Sequence, residues 1–222
     1  MRLRILSAGA AQGVVSALAA EQGIELEAQF GAVGAMQEKF DAGTPCDVVV
    51  LTRPQIDALR ARGRVTAAAD LGRVRTGVAV RAGDPSPEIA DRAALRAALL
   101  AAEEIYHPDA AKATAGIHFV KVLAALGLAE SVAARLRPHP NGASAMRALA
   151  ASGAASAIGC TQITEIRNTP GVALVGPLPR EFELATTYSA GLCSAAAAPR
   201  RFFGLLGGAA SVPLRSAAGF EI

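Results

Sequence analysis

The sequence predicts a two-lobed α/β protein with mixed sheets. Short apolar or alternating segments, typical of strands, take turns with segments that have the three-to-four-residue apolar spacing of helices. Two long apolar strands, near 74–81 and 186–194, bracket the middle of the chain and predict two crossings between lobes. We therefore expect lobe 1 to contain 1–80 plus 188–222, and lobe 2 to contain 81–187.

The N-terminal part shows three strand–helix pairs in succession. Residues 3–7 form a short apolar strand before the first helix, and 24–30 alternate as in a half-buried strand. The helix after that second strand ends at Gly43. The apolar run 47–51 is typical of a strand covered on both faces, and Pro54 suits the first turn of the next helix.

The middle of the chain repeats this alternation, which favours a parallel or mixed sheet. The predicted helices are 93–102, 117–126, 145–151 and 200–206, and the predicted strands are 104–106, 157–160 and 172–175. His139 lies between two prolines and is predicted to be in a loop.

Composition excludes several classes of function. The net charge is +3, and the basic residues are scattered without aromatic neighbours, so we expect no nucleic-acid partner. Cys46, Cys160 and Cys193 show neither CxxC spacing nor a histidine in ligand register, so we expect no metal and no other cofactor. No apolar run is free of turn formers over the roughly 18 residues that a membrane span needs.

The first residues bear on localisation. They enter a strand at once, without the apolar segment and cleavage site of a signal peptide. As written, the chain is expected to be cytoplasmic; it would be periplasmic if its true N-terminus has been trimmed. We expect a monomer or a weak dimer.

Four loops rich in small residues, 8–13, 31–35, 113–118 and 141–144, each lie before a helix. In open α/β sheets ligands bind beyond the carboxyl ends of strands. The free amides of a first helical turn, together with the helix dipole, bind anions without a basic side chain. Tight turning alone also explains small residues in such loops, so both interpretations stay open.

Six segments resemble the molybdate-binding-type solute-binding proteins, a branch of the type II periplasmic binding fold that also includes aconitate isomerases. They are LSAGAAQGVV, QFGAVGAM, FDAGTPCDVVVLT, IYHPDAAKATAGIHFVKVLAALG, NGASAMRALAASGAASAIG and AAGFEI, and together they span nearly the whole chain. The resemblance implies two lobes with a ligand cleft between them, a small anionic ligand and, if the chain is exported, an ABC permease as partner.

The resemblance also implies which residues bind the ligand. They are Gly9, Ala10, Ala11, Gln12, Val33, Gly34, Thr114, Ala115, Gly116, Asn141, Gly142 and Gln162. Molybdate binders offer hydroxyls in the first two loops and a tyrosine after the late strand. Here Ala10, Val33 and Gln162 stand in those places, which favours an organic carboxylate over molybdate or tungstate.

Two classes of function remain open. The chain either binds its anion unchanged, or it is an aconitate isomerase-type enzyme that shifts an allylic proton on a tricarboxylate. An isomerase needs a group that titrates near neutral pH, and His107, His118 and Lys112 are the candidates. Arg53 follows a buried strand and could pair with a carboxylate. A ligand-sensing domain detached from a regulator is ranked last.

Overall fold

The computed structural model describes residues 2–222, and they divide into two structural units. The first unit runs to Val74 and resumes at Thr186, and the second is Arg75–Ala185. The boundaries predicted from sequence lie a few residues later in the chain. One boundary falls inside a long strand, so the chain passes from the first unit to the second without leaving regular structure.

The first unit is built on parallel strands followed by helices. Its elements are β1 (Arg2–Ala8), α1 (Gln12–Glu21), β2 (Glu25–Gly31), α2 (Val33–Asp41), β3 (Val48–Thr52), α3 (Arg53–Ala61), the first part of β4 (Ala67–Arg81), β9 (Ala185–Leu192), α8 (Ala197–Gly207) and α9 (Val212–Ala218). The strand order is β2-β1-β3-β9-β4, with β1 parallel to β2 and β3, and β9 antiparallel to β3. A core that includes Leu6, Phe40 and Ile56 packs α2 and α3 on the sheet.

The second unit repeats this arrangement. Its elements are the rest of β4, α4 (Arg92–Ala101), β5 (Glu104–Pro108), α5 (Thr114–Ala125), β6 (Leu136–His139), α6 (Gly142–Ala150), β7 (Ala157–Gln162), α7 (Ile163–Arg167) and β8 (Val172–Pro177). The order is β4-β7-β5-β6, with β8 also paired to β4. One core, around Leu99 and Phe119, covers the sheet face under α4 and α5; a second, around Met146, covers the opposite face under α6.

Two of these strands and helices were not predicted: β6 and α9. The prediction that His139 lies in a loop is wrong, since His139 ends β6 and its ring stacks on Tyr106 with centroids 5.9 Å apart. Proline removes a ladder donor, and two prolines flank His139; β6 tolerates them because it is the edge strand of its sheet.

No helix within residues 2–222 is both long and apolar enough to cross a membrane. Over the same residues, no group of three or more His, Cys, Asp or Glu side chains could hold a metal ion.

Candidate functional site

In the first unit the carboxyl ends of three strands lie at one edge of the sheet. Ala8 lies opposite Gly31 and Ser7 opposite Val50, so β1, β2 and β3 end at similar heights. Helices α1 and α2 follow at this edge behind alanine caps whose side chains accept no hydrogen bond. The first amide of α2 to find a helical acceptor is that of Met36, which donates to Ala32. The preceding amides, including those of Val33 and Gly34, have no intrahelical acceptor.

The third helix at this edge, α3, is capped by its own side chains. Gln55 Oε1 accepts from the amide of Thr52 at 3.1 Å and from the Thr52 hydroxyl at 2.6 Å. The Arg53 guanidinium pairs with Asp70 at 2.5 Å, and Ser189 donates to the other Asp70 oxygen. Arg53, the cation predicted for a carboxylate ligand, therefore already has a carboxylate partner within its own unit.

In the second unit, β5 runs parallel to both β6 and β7. Pro108 lies opposite His139, and Tyr106 lies opposite Gly159. The carboxyl ends of these strands therefore share one edge, and helices α5, α6 and α7 begin there. Two of these helices, α5 and α6, differ sharply in how their first-turn amides are used.

Helix α5 has what we call an open N-terminus. Its cap is Ala113, which has no side-chain acceptor, and the first amide bonded within the helix is that of Ile117, which donates to Ala113. The amides of the first-turn residues Thr114, Ala115 and Gly116 therefore have no intrahelical acceptor. A Cβ on Gly116 would collide with the carbonyl oxygens of Pro108 and Asp109, so this glycine is required for α5 to begin so close to the end of β5.

Helix α6 has what we call a filled N-terminus. The Glu165 carboxyl group accepts from the Thr161 hydroxyl at 2.6 Å and lies directly against Gly142. The amides of Gly142, Ala143 and Gln162 are close enough to favour its ionised form. Burial raises the pKa of Glu165 above its ordinary value, while these four donors act in the opposite direction. A carboxylate from the protein thus occupies the position where an external anion would bind these amides.

The cap of α6 is occupied as well. The Asn141 side chain accepts from the amide of Ser144 at 2.9 Å, and Ser144 Oγ accepts from the amide of Asn141 at 3.2 Å. Asn141 and Gly142, both predicted as ligand contacts, therefore already bond within the second unit.

Four buried polar side chains of the second unit have polar atoms without a hydrogen-bond partner, and each is at most 3% exposed. One is Thr164 at Oγ1; the other three are His107 at Nε2, Gln162 at both amide atoms and Thr76 at Oγ1. Such atoms are rare in folded proteins, because an unpaired buried polar group costs roughly 1–3 kcal/mol. They therefore need an explanation, and contact with a bound molecule is one.

The side chains of His107, Gln162 and Thr76 lie on one face of the second sheet. Thr76 and Gln162 are opposite each other on β4 and β7. The strand neighbours two residues away, Val78 and Cys160, belong to the core under α5. The His107 ring lies 5.6 Å from that of Phe119 on α5, so it faces the same way. We call His107, Gln162 and Thr76 the polar row.

The hydrogen bonding of His107 defines its tautomer. Nδ1 lies 2.8 Å from the carbonyl oxygen of Pro108, so Nδ1 carries the proton and Nε2 the free lone pair. Burial lowers the pKa of His107, and the nearby His139 lowers it further, while Asp109 acts in the opposite direction. The ring is therefore neutral at pH 7, with an unprotonated Nε2 that can accept a proton or a hydrogen bond.

The other two predicted proton carriers have different surroundings. His118 Nε2 donates to the carbonyl oxygen of Phe182 at 2.7 Å, which ties α5 to the turn 180–182. Lys112 is exposed, and its amide donates to Asp109 Oδ1 at 2.7 Å. Of the three, His107 alone has a buried ring nitrogen without a partner within the described residues.

Two features of this site were missed by sequence reasoning. Thr76 lies in the middle of β4, and only its pairing with Gln162 reveals its place in the polar row. Glu165 lies in the first turn of α7 near its cap residue Gln162, and it also lies against the start of α6, a contact that no local pattern predicts. The sequence signal for this contact is Gly142, because only glycine leaves room there for the Glu165 carboxyl group.

Parallel strands, helices that begin at one edge and first-turn amides open to anions define a class of anion-handling α/β binding proteins. The model of the bacterial extracellular solute-binding protein family matches residues 3–221, and the chain belongs to this family. The predicted fold class, α/β with mixed sheets and periplasmic-binding-protein-like, is confirmed.

Named relatives of the chain handle anions of different kinds. An aconitate isomerase from a Pseudomonas species is 29% identical over 216 residues, covering 92% of this chain and 80% of the relative. The periplasmic molybdate-binding protein of Azotobacter vinelandii superposes with a TM-score of 0.78 at 18% identity, over 99% of both chains. A sulfate-binding protein of Mycobacterium tuberculosis gives a TM-score of 0.69 at 17% identity, over 99% of this chain and 86% of the other.

Proposed function

We propose that the chain binds a small organic carboxylate whose polar groups pair with the polar row and whose charge lies at the open N-terminus of α5. The observation that carries this proposal is the polar row itself: His107 Nε2, both amide atoms of Gln162 and Thr76 Oγ1 are buried without a partner, on the sheet face that α5 covers. The neighbouring amides of Thr114 to Gly116 supply positive potential without a basic side chain. Gly9, Ala10, Ala11 and Gln12 before and at the start of α1, and Val33 and Gly34 at the start of α2, are proposed as further ligand contacts.

An organic ligand fits these groups better than a tetrahedral oxyanion does. A fully ionised oxyanion offers acceptors only, whereas the unprotonated His107 Nε2 needs a donor. A hydroxyl group supplies one, and so does a carboxyl group that keeps one proton when a tricarboxylate binds. Ala10 and Val33 add apolar surface where the molybdate binders have hydroxyls, and this suits a carbon skeleton.

Calorimetric titration of the full chain tests this proposal. The panel is cis-aconitate, trans-aconitate, tricarballylate, molybdate and sulfate. We expect heat of binding with at least one tricarboxylate and weaker or no binding of the two oxyanions. Gln162→Leu removes both amide atoms from the polar row and should weaken carboxylate binding at least tenfold, because each lost hydrogen bond to a charged group is worth about 1.5–3 kcal/mol.

Gln22→Leu is the matched control, since Gln22 is an exposed residue just after α1 whose side chain accepts from Arg201. It should leave affinity unchanged. Tight molybdate binding with no carboxylate binding would overturn the proposal, as would equal carboxylate affinity of the wild type and Gln162→Leu.

A second candidate function is isomerisation of aconitate, favoured by the 29% identical relative and by His107. In this function Nε2 of His107 removes a proton from an allylic carbon of the bound tricarboxylate, the double bond shifts, and the same proton or one from water is returned to the other carbon. The amides at the start of α5 would stabilise the charge that develops on the neighbouring carboxyl group.

Proton NMR distinguishes the two functions. If the chain is an isomerase, cis-aconitate in D2O should convert to the trans isomer with deuterium incorporated, and His107→Gln should abolish conversion while tricarballylate still binds. His118→Gln, which loses only the bond to Phe182, should retain most of the turnover. An unchanged spectrum after long incubation, with tricarballylate bound, would leave binding as the function.

A further inference from the structure

Two cysteines far apart in sequence meet in the first unit. Cys46 precedes β3, and Cys193 directly follows β9. These strands pair antiparallel with Val48 opposite Leu192, and the amide of Cys193 donates to the Asp47 carbonyl at 3.0 Å, so the pairing continues past the strand ends. Both side chains are partly buried against the same core cluster. The Cys46 thiol donates to the Val48 carbonyl oxygen at 3.1 Å, and the Cys193 thiol lies 3.8 Å from the carbonyl oxygen of Gly191.

The two thiols are unequal. The neighbouring thiol is the largest cause of both pKa shifts: it lowers the pKa of Cys193 and, together with burial, raises that of Cys46. Among the charged groups nearby, Arg64 also lowers the pKa of Cys193, while Asp47 raises it. A thiolate is the nucleophile in disulfide exchange, so Cys193 is the attacking group and Cys46 the resolving one.

We propose that Cys46 and Cys193 are a dithiol site that reacts with small disulfides and closes to an intramolecular disulfide. The Cys193 thiolate attacks one sulfur of a low-molecular-weight disulfide, RSSR; a Cys193–S–S–R bond forms and RS⁻ leaves. Cys46 then loses its proton and attacks Cys193 Sγ, which releases the second RS⁻. Two protein thiols are oxidised by two electrons, and RSSR is reduced to two RSH.

The position of the pair gives the bond a structural consequence. It would join the start of β3 to the end of β9, two neighbouring strands whose cysteines are separated by most of the chain. Cross-links across long loops constrain the unfolded chain most. Cysteines on adjacent, paired segments lie at backbone distances that a disulfide can span with little movement. The family is described as extracellular, and disulfides persist in oxidising compartments of that kind.

Cys160 provides a matched control within the same chain. It is the third thiol, 2% exposed in the core under α5 of the second unit, and burial raises its pKa. A buried thiol with a raised pKa reacts slowly. Oxidation of an accessible pair should therefore spare Cys160, while non-specific oxidation after unfolding would reach all three cysteines.

The experiment is thiol counting by intact mass. The folded chain is incubated with oxidised glutathione, quenched with acid, unfolded and labelled with N-ethylmaleimide. We expect one label on the wild type and none on Cys160→Ala, in both cases with a mass loss of two hydrogens and a tryptic cross-link between Cys46 and Cys193. Cys46→Ser should instead stop at a glutathione adduct on Cys193, because the resolving thiol is gone.

A thermal measurement completes the test. The oxidised wild type should melt about 5 °C or more above the reduced chain, and the difference should disappear in Cys46→Ser and Cys193→Ser. Circular dichroism of the reduced variants serves as the control that they are folded. Three labels on oxidised wild-type protein, an adduct without closure, or a cross-link to Cys160 would each overturn the proposal.

Discussion

Helices α5 and α6 begin at neighbouring strand ends of the same unit, yet their N-termini are used in opposite ways. At α6 the Glu165 carboxyl group lies against the first-turn residues Gly142 and Ala143, and the side chain of Asn141 accepts from the amide of Ser144. At α5 the cap is Ala113 and no side chain takes that place. Both sites offer the same dipole and the same kind of amides, so only the supply of an internal anion distinguishes them.

This difference separates a terminus that serves folding from one that is available to a ligand. A buried carboxyl group at α6 satisfies donors that would otherwise lose their hydrogen bonds to water on folding. Leaving α5 open costs stability, and the polar row adds to that cost with atoms that have no partner. Unpaired polar groups of this kind concentrate where a protein binds a ligand or acts on a substrate. The comparison therefore favours α5 over α6 as a ligand site.

The largest effect is expected from Gly142→Ala, which breaks the filled terminus. The new Cβ would collide with the Glu165 carboxylate and with the Thr161 hydroxyl. We expect a loss of about 4 kcal/mol in the free energy of unfolding, seen as a fall in Tm of about 10 °C. Gly204→Ala is the control, because Gly204 is exposed in α8 with open space around its Cβ position; it should stabilise slightly.

Removing the internal anion should come next in size. Glu165→Ala leaves three amides and the Thr161 hydroxyl without their acceptor, at a cost of about 3 kcal/mol in denaturant unfolding. Glu165→Gln keeps an acceptor oxygen and should cost less. If both variants were as stable as the wild type, the carboxylate would not be what holds the start of α6.

The contribution of Glu165 to stability depends on pH in a defined direction. Because burial raises the pKa of Glu165 above 4.5, the folded chain binds this proton more tightly than the unfolded chain does. The stabilisation is complete below pH 4.5 and is lost as pH rises through the folded pKa. The stability of Glu165→Gln relative to the wild type should therefore increase with pH across this window, in paired urea titrations.

The strands and helices were predictable because their signals are local. The run 47–51 is apolar throughout, and the structure places β3 there. The α6 start was predicted three residues late, because Gly142 and Ala143 carry no apolar signal and owe their helical place to Glu165. Strand β6, with Pro138 in it, reads as a loop until its pairing with β5 is known.

The candidate site could be predicted only in outline. Position at a strand end identifies the loops around Thr114 and Gly142 equally, since both are small-residue sequences before a helix. What separates them is Glu165, a residue 23 positions away from Gly142 in sequence whose contact depends on the turn after β7. Thr76 joins the polar row through strand pairing alone, which no local pattern encodes.

A smaller effect is expected from converting the open terminus into a filled one. Ala113→Asp places a carboxylate at the cap of α5, where it can accept from the first-turn amides. An external anion then meets both occupied donors and a like charge, so carboxylate affinity should fall about 30-fold, or about 2 kcal/mol, by calorimetry.

Ala196→Asp is the matched control, since Ala196 is the uncapped, exposed cap residue of α8 in the first unit. It should stabilise by about 1 kcal/mol and leave affinity unchanged. Carboxylate binding that survives Ala113→Asp at full strength would show that α5 is not the open site.

The smallest effect concerns the stability of the polar row in acid. Burial lowers the pKa of His107 below its ordinary value of 6.5, so the unfolded chain binds this proton more readily than the folded chain does. The contribution of a neutral His107 is complete above pH 6.5 and is lost as pH falls towards the folded pKa, by at most about 1.4 kcal/mol per pH unit. His107→Gln should remove this dependence. The stability of the variant relative to the wild type should therefore rise as the pH falls from 6.5 to 5. Parallel curves over that range would mean that His107 does not gain its proton on unfolding. The free lone pair on Nε2 would then lose its support, and with it the proposed recognition of a donor group.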